Sequence, residues 1–307
     1  MNISYIPQQD IDKVKWDRCI AAAGNSLIYA YSFYLDTMSR HWDALVSLTE
    51  EGDYEMAMPL TWNKKYGLHY LYQPFFTASL GIFGNNISAE VVKLFLDAIP
   101  QKFKYWDFYL NKKNAFAIDG YEIYERRNYI LSLEDSHENI LAKYAKNHLR
   151  NIRRAKEAGN EIQTGIAVEK IIALAREQAK DFSPVAEKDF ENFALLFSIL
   201  KEKNLAVTYG IYSSQQQLVA SCVWFFSKDR AYYILVGNHP NGRTSGASHL
   251  LIDAFIQDHA GEKLTLDFEG SDLKNLAWFY SSFGAVEEKY AGIKLNRLPT
   301  IAKLFRQ

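Results

Sequence analysis

Leu218-Val-Ala-Ser-Cys-Val-Trp-Phe-Phe226 and Ala231-Tyr-Tyr-Ile-Leu-Val-Gly237 are strand-like runs leading into Asn238-His-Pro-Asn-Gly-Arg-Thr-Ser-Gly-Ala-Ser248, after which a helical pattern starts at His249. Gly, Ser and Thr at a strand-to-helix junction leave backbone N–H groups aimed outward at the positive end of the helix dipole. Such a junction binds phosphate or carboxylate. Arg243 adds a fixed cation with several donors. A capped helix after a turn uses the same residue types, so the stretch has two readings: an anion site or a plain helix start.

Working outward, residues 206–212 and 218–226 form a hairpin and 231–237 add a third strand. Helices over 140–158 (closed by Gly159), 168–179 and 189–203 precede them. A helix over 248–259, a strand at 264–268, a helix over 272–283 and a last strand at 286–295 follow. The first half runs in the same order. Helices cover 10–23 and 32–40, and a hairpin at 44–49 and 54–62 turns on Glu50-Glu-Gly-Asp53. A strand at 68–72, a loop at 73–86, a helix over 89–99, a strand at 105–110 and a long strand at 121–133 complete it. A short stretch at 114–118 replaces the second helix. The repeated order predicts an α/β protein with α+β mixed sheets in two lobes, residues 1–130 and 131–307. No low-complexity linker separates them, so they are expected to move little relative to each other.

With 307 residues, 48% hydrophobic and 15% aromatic, the chain can bury a sizeable core and has aromatics to spare for a cleft. A formal net charge of −1 argues against a general polyanion binder. The two cysteines, Cys19 and Cys222, stand far apart, which argues against a disulfide framework or a cysteine zinc site and fits reduced thiols in the cytoplasm. The seven histidines show no ligand-like spacing, so no metal is assigned. No stretch nears the ~20 apolar residues of a membrane span, and the N-terminus lacks a signal-peptide pattern. No nucleophile elbow, Walker loop or dinucleotide glycine pattern occurs.

The second half resembles the GNAT superfamily of N-acyltransferases. That family places the acyl-CoA pyrophosphate on a loop of pattern Arg/Gln-x-x-Gly-x-Gly/Ala, and Arg243-Thr-Ser-Gly246-Ala-Ser248 follows it except at Ser248. Tyr280 stands four residues before Gly284, as the family's proton donor does before its Gly-Phe, whereas Ala285 replaces the Phe and Leu273 sits at the family's Asn. The tandem order narrows the likeness. Lys146-Asn-His-Leu-Arg-Asn-Ile-Arg-Arg-Ala155, Asp267-Phe-Glu-Gly-Ser271 and Trp278-Phe-Tyr-Ser-Ser-Phe-Gly284 resemble the FemABX-type aminoacyltransferases and the GNAT-like proteins grouped with them. Trp42-Asp-Ala44, Met58-Pro-Leu60, Tyr72-Gln-Pro74 and Gly81-Ile-Phe83 are similar to the first lobe of a bacterial subgroup. The coiled-coil arm of some FemABX members has no counterpart.

This resemblance implies two tandem GNAT-like lobes, the first degenerate. Arg243, Thr244, Ser245, Gly246, Ala247 and Ser248 would hold the donor, acetyl-CoA or another acyl-CoA, and an amine acceptor would enter between the lobes. Tyr280 would protonate the leaving thiolate. Glu269 is the candidate base, at a strand end where alternation sets it on the same face as Asp267; the competing reading is that both carboxylates cap the turn that follows. Lys143, Lys146, Arg150, Arg153, Arg154 and Lys156 form a basic helix face opposite Leu141, Ala145, Leu149 and Ile152. That face is either simply solvated or, through Lys146, Arg150 and Arg153, a clamp for substrate phosphates. Tyr280 likewise has a plain reading, since Trp278, Phe279 and Phe283 place it in an aromatic cluster of the kind that fills cores. Two other functions fit the same residues. One is FemABX-like transfer from aminoacyl-tRNA to a peptidoglycan precursor, which the neutral charge and missing arm disfavour. The other is a non-catalytic binding or scaffold protein, which the departures at Ser248, Leu273 and Ala285 favour.

Overall fold

The computed structural model describes residues 1–179, 185–270 and 272–298, with Arg243 and Thr244 described by their backbone alone. The chain divides into two units, Met1–Arg126 with Lys289–Gln307, and Arg127–Glu288.

Unit 1 opens with strand β1 (Ile3–Ile6). The Asp12 carboxylate accepts the N–H groups of Val14 and Lys15, both at 3.0 Å, and so starts helix α1 (Lys13–Ala22). Helix α2 (Ser32–Met38) follows, then strands β2 (His41–Leu48), β3 (Tyr54–Lys65) and β4 (Leu68–Tyr72) as an antiparallel meander. Tyr66 and Gly67 turn β3 into β4, both at positive φ (50° and 80°), as a two-residue hairpin loop requires. Helix α3 (Ala89–Asp97), capped by Ser88, buries Val92, Phe95 and Leu96. Strand β5 (Phe103–Leu110) lies parallel to β4.

Beyond Tyr72 the residues between β4 and α3 fold back onto β5. Gln73 accepts the Tyr109 N–H at 2.9 Å, Leu80 donates to the Tyr109 carbonyl and its carbonyl accepts from Asn111, both at 2.9 Å.

Strand β6 (Glu122–Ser132) leads into unit 2. There the helix expected over 140–158 is corrected to two: α4 (His137–Leu141) and α5 (Lys146–Glu157). The cause is tertiary. Ala145 is extended (ψ 142°) and gives its N–H to the Ser282 carbonyl at 2.9 Å instead of to a helical partner. The buried stripe of α5 is His148, Ile152 and Ala155, while Leu149, expected inside, is 38% exposed. Strand β7 (Glu161–Thr164) is exposed at every residue and carries no alternation, which hid it in the sequence. Helices α6 (Val168–Ala179) and α7 (Glu187–Glu202) precede strands β8 (Ala206–Tyr212), β9 (Leu218–Ser227) and β10 (Arg230–Asn238). Helices α8 (Pro240–Ser245) and α9 (Ala247–His259), strand β11 (Thr265–Asp267), helix α10 (Lys274–Ser281) and strand β12 (Val286–Asn296) complete the chain.

The unit 2 sheet has the order β6-β11-β10-β9-β8-β7, antiparallel except for β10 with β11. Unit 1 has β1-β2-β3-β4-β5 with residues 291–296 of β12 on β5, antiparallel except for β4 with β5. The two halves therefore repeat one sheet plan with their last strands exchanged: residues 130–132 of β6 pair with β11, and the C-terminal half of β12 pairs with β5. The unit 2 core gathers on α9, where Phe255 stacks on Trp224 with ring centres 3.7 Å apart. In unit 1 it gathers on α3, around Phe95, Phe103 and Trp106.

Candidate functional site

Strand β10 pairs with β11 over only three residues, Arg230 to Tyr232 against Thr265 to Asp267. Two local causes end the pairing. The register of β10 on β9 shifts between Tyr233 and Leu235, so Ile234 is bulged and the strand bends. On the other side Phe268 gives its N–H to the Tyr129 carbonyl at 3.0 Å, and Glu269 adopts a left-handed conformation (φ 65°). The left-handed turn breaks the alternation expected for Asp267 and Glu269. Asp267 is buried and structural: it pairs with Arg230 at 2.5 Å and accepts from the Asn128 amide at 2.9 Å and the Glu269 N–H at 2.8 Å. Glu269 is half-buried beyond the strand end. A non-glycine residue held left-handed costs of order 1 kcal/mol or more and persists where the surroundings impose it.

Around this divergence unit 2 collects four ionisable groups. Tyr280, on α10, stacks on Phe268 with ring centres 4.6 Å apart and meets Tyr233 edge-on at 6.4 Å. Burial holds the Tyr280 phenol well above its ordinary value, with the charges of Cys222 and Glu269 adding to it. Burial does the same to Tyr233, helped by Cys222 and Tyr280. The fully buried Cys222 thiol, bonded to the Val223 carbonyl at 3.1 Å, is also pushed up, first by burial and then by Glu269. The result is two neutral phenols and a neutral thiol in a low-dielectric setting, with the Glu269 carboxylate acting on Cys222 and Tyr280. Sequence reasoning named Tyr280 and Glu269 but missed Tyr233 and Cys222. Both sit in plain strand patterns, and only the convergence of β9, β10 and α10 brings them together.

The 243–248 stretch differs from the open loop expected. Residues 240–245 are helical, and Gly246 (φ 81°) joins α8 directly to α9. The expectation that the Gly246 amide stands open is corrected: it donates to the Gly242 carbonyl, which also accepts the Ser245 hydroxyl at 3.2 Å. A Cβ on Gly246 would clash with the Asn151 carbonyl of α5, and one on Gly242 with the Val219 carbonyl of β9. Glycine is required here for close backbone packing. Ala247 is buried, and the Ser248 hydroxyl donates to Asn238 Oδ1 at 2.7 Å. The side chains of Arg243 and Thr244 lie outside those described. On α5, Lys146, Arg150 and Arg153 are all exposed. His148, on the buried side of α5, donates from Nε2 to the Phe279 carbonyl at 3.0 Å and meets His249 of α9 with ring centres 4.5 Å apart.

Residues 142–274 match the family model of the acetyltransferase (GNAT) domain. The chain has the fold of a tandem GNAT-like protein related to the FemABX type. It is similar to the crystal structure of FemX, with TM-score 0.68, 12% identity and 100% of both chains covered. It is similar to a tandem GNAT protein from the clavulanic acid biosynthesis pathway, solved without AcCoA, with TM-score 0.56 and 11% identity over 97% of this chain and 100% of that one. It also resembles L-PGS from Bacillus licheniformis, with TM-score 0.54 and 12% identity over 95% of this chain and 94% of that one. At such identities the likeness is one of fold. No curated protein matches the sequence. The divergence of β10 and β11 lies within the matched residues, as do Cys222, Tyr233 and Glu269, while Tyr280 lies just after them. Among the described residues no group of His, Cys, Asp and Glu is arranged to hold a metal, and no helix is long and apolar enough to cross a membrane.

Proposed function

We propose that the GNAT domain carries out N-acyl transfer where β10 and β11 diverge. The observation behind this reading is the Cys222–Tyr233–Tyr280–Glu269 group, in which three buried acids gather and the carboxylate at a strained strand end acts on Cys222 and Tyr280. Glu269 takes a proton from the acceptor ammonium, directly or through water. The freed amine attacks the donor carbonyl, forming the C–N bond and breaking the bond to the leaving group. Tyr280 gives that leaving group its proton, and the proton lost by the new amide nitrogen restores the phenol. Burial suits Tyr280 to this role, because a phenol kept neutral is a donor throughout the neutral range. General acid and base help of this kind is worth about 10²–10⁴-fold in rate, and positioning supplies the rest.

In the first reading the donor is an acyl-CoA thioester seated on residues 243–248, with an amine on a small molecule or peptide as acceptor. One observation favours a second reading, an aminoacyl ester on tRNA. The Gly246 amide is spent on the Gly242 carbonyl, which removes one donor a pyrophosphate would use. In either reading Lys146, Arg150 and Arg153, exposed along α5, are the candidates for phosphate contacts on donor or acceptor. The test is calorimetry of the full chain with acetyl-CoA and with charged tRNA at low salt, followed by transfer assays on the binder. Acetyl-CoA binding that Arg243→Ala weakens supports the first donor. Charged-tRNA retention that collapses with salt supports the second. Binding of neither sinks the transferase reading and leaves a non-catalytic GNAT fold.

A further inference from the structure

Unit 1 contains a cavity of about 350 Å³ unrelated to the chemistry of unit 2. Gly24 and Asn25, just after α1, Gly84, Asn85, Asn86 and Ile87, just before α3, and Lys113 line it. The volume is that of a small-molecule site.

Its floor is rigid. The Asn25 amide donates to the Ile82 carbonyl at 2.8 Å and to Asn111 Oδ1 at 3.1 Å, and its oxygen accepts the Gly84 N–H at 3.0 Å. Asn111 donates to the Leu80 carbonyl at 2.9 Å, and Asn114 accepts the Ile82 N–H at 2.6 Å. All three asparagines are buried. A connected amide network of this kind fixes residues 80–84 and the backbone around the cavity.

The polar groups left for a ligand are the Asn85 amide nitrogen, the Asn86 amide and the Lys113 ammonium. Asn85 Oδ1 is held by the Gly24 N–H at 3.0 Å, which leaves its amide nitrogen. The side chains of Asn86 and Lys113 have no hydrogen-bond or ion-pair partner among the described residues, and no carboxylate lines the cavity. One cation with amide donors and no competing anion is the chemistry that receives an oxyanion. We propose that this cavity of unit 1 binds a small molecule through a carboxylate or phosphate group held by Lys113, Asn85 and Asn86. Nothing in it depends on acyl transfer in unit 2, so the two proposals stand or fall separately.

The test is amide NMR of the full chain titrated with sodium phosphate and, separately, with sodium acetate, at ionic strength held constant with sodium chloride. Saturable shifts of the Gly24 and Gly84 amides are expected with at least one of the two anions, and the tighter one names the ligand group. Lys113→Glu should weaken binding roughly tenfold or more, Asn86→Ala should weaken it less, and Arg243→Ala should leave it unchanged. Lys113 is exposed, so its replacement leaves the fold intact, and unchanged spectra outside the cavity verify that. Shifts that fail to saturate, that survive Lys113→Glu, or that move to the Gly246 amide overturn the proposal.

Discussion

Tyr280 and Gly246 show how differently single residues can be read. Tyr280 is 8% exposed and stacked on Phe268, so a core role and an acid role share the same geometry. The hydroxyl separates them. Tyr280→Phe keeps the stacking and removes the proton: kcat should fall about 10²–10³-fold while the thermal midpoint moves little, and steady-state kinetics beside a melting curve checks both. Because burial raises this phenol, wild-type kcat should show no alkaline loss from it up to the ordinary tyrosine value of 10.0. Gly246 was legible as a special glycine from its place in Arg243-Thr-Ser-Gly246. Its reason was not, because Asn151 lies ninety-five residues away in sequence and only packing sets its carbonyl against the turn. Gly246→Ala combines a left-handed φ of 81° with that clash, and should destabilise the fold by about 2 kcal/mol or more in urea denaturation.

Among the elements, the crossing of α5 and α9 has the plainest pH signature. His148 and His249 meet edge-to-face, and the Nδ1 atoms of both are buried without a partner. The Arg154 guanidinium donates to Asn151 Oδ1 at 3.2 Å, which turns the Asn151 amide nitrogen toward His249 Nε2 at 3.1 Å and makes that nitrogen an acceptor. Burial lowers both histidines, and His148 and Arg154 help bring His249 down to about 4. Unfolded histidine takes its proton near 6.5, so from pH 6.5 down to about 4 the unfolded chain binds protons that the folded one refuses. Stability should therefore fall as pH drops through that window, by about 2 to 3 kcal/mol for His249, and level off below it. Urea midpoints across the range test this, and His249→Leu should flatten the curve. Strong periodicity made α3 and α6 readable, and α6 has the bounds expected, 168–179. The break in α5 was unreadable, since the Ala145 amide goes to Ser282, a partner no local pattern names.

At the scale of the molecule, the last strands of the two repeats are exchanged. Unit 1 takes residues from Lys289 onward, and Ile293 of β12 is fully buried in its core. A chain ending at Glu288 should lose the order of unit 1: the β5 amides of residues 105–110 lose their antiparallel partners, and their hydrogen exchange should accelerate by orders of magnitude. Rapid exchange confined to the cut end would contradict the pairing.

The sequence by itself determined the repeated order of strands and helices and the mixed sheets, and it named Tyr280 and Glu269 as candidates. The order and the sheets follow from periodicity and turn chemistry, which act over a few residues. Tertiary structure alone decided the rest: the strand exchange, the folding of Gln73 and Leu80 onto β5, the spent amide of Gly246, and the meeting of Cys222 and Tyr233 with Tyr280. Each depends on contacts between segments far apart in the chain. Local propensity is blind to such contacts, because their free energy exists only once the sheets have closed and water has left.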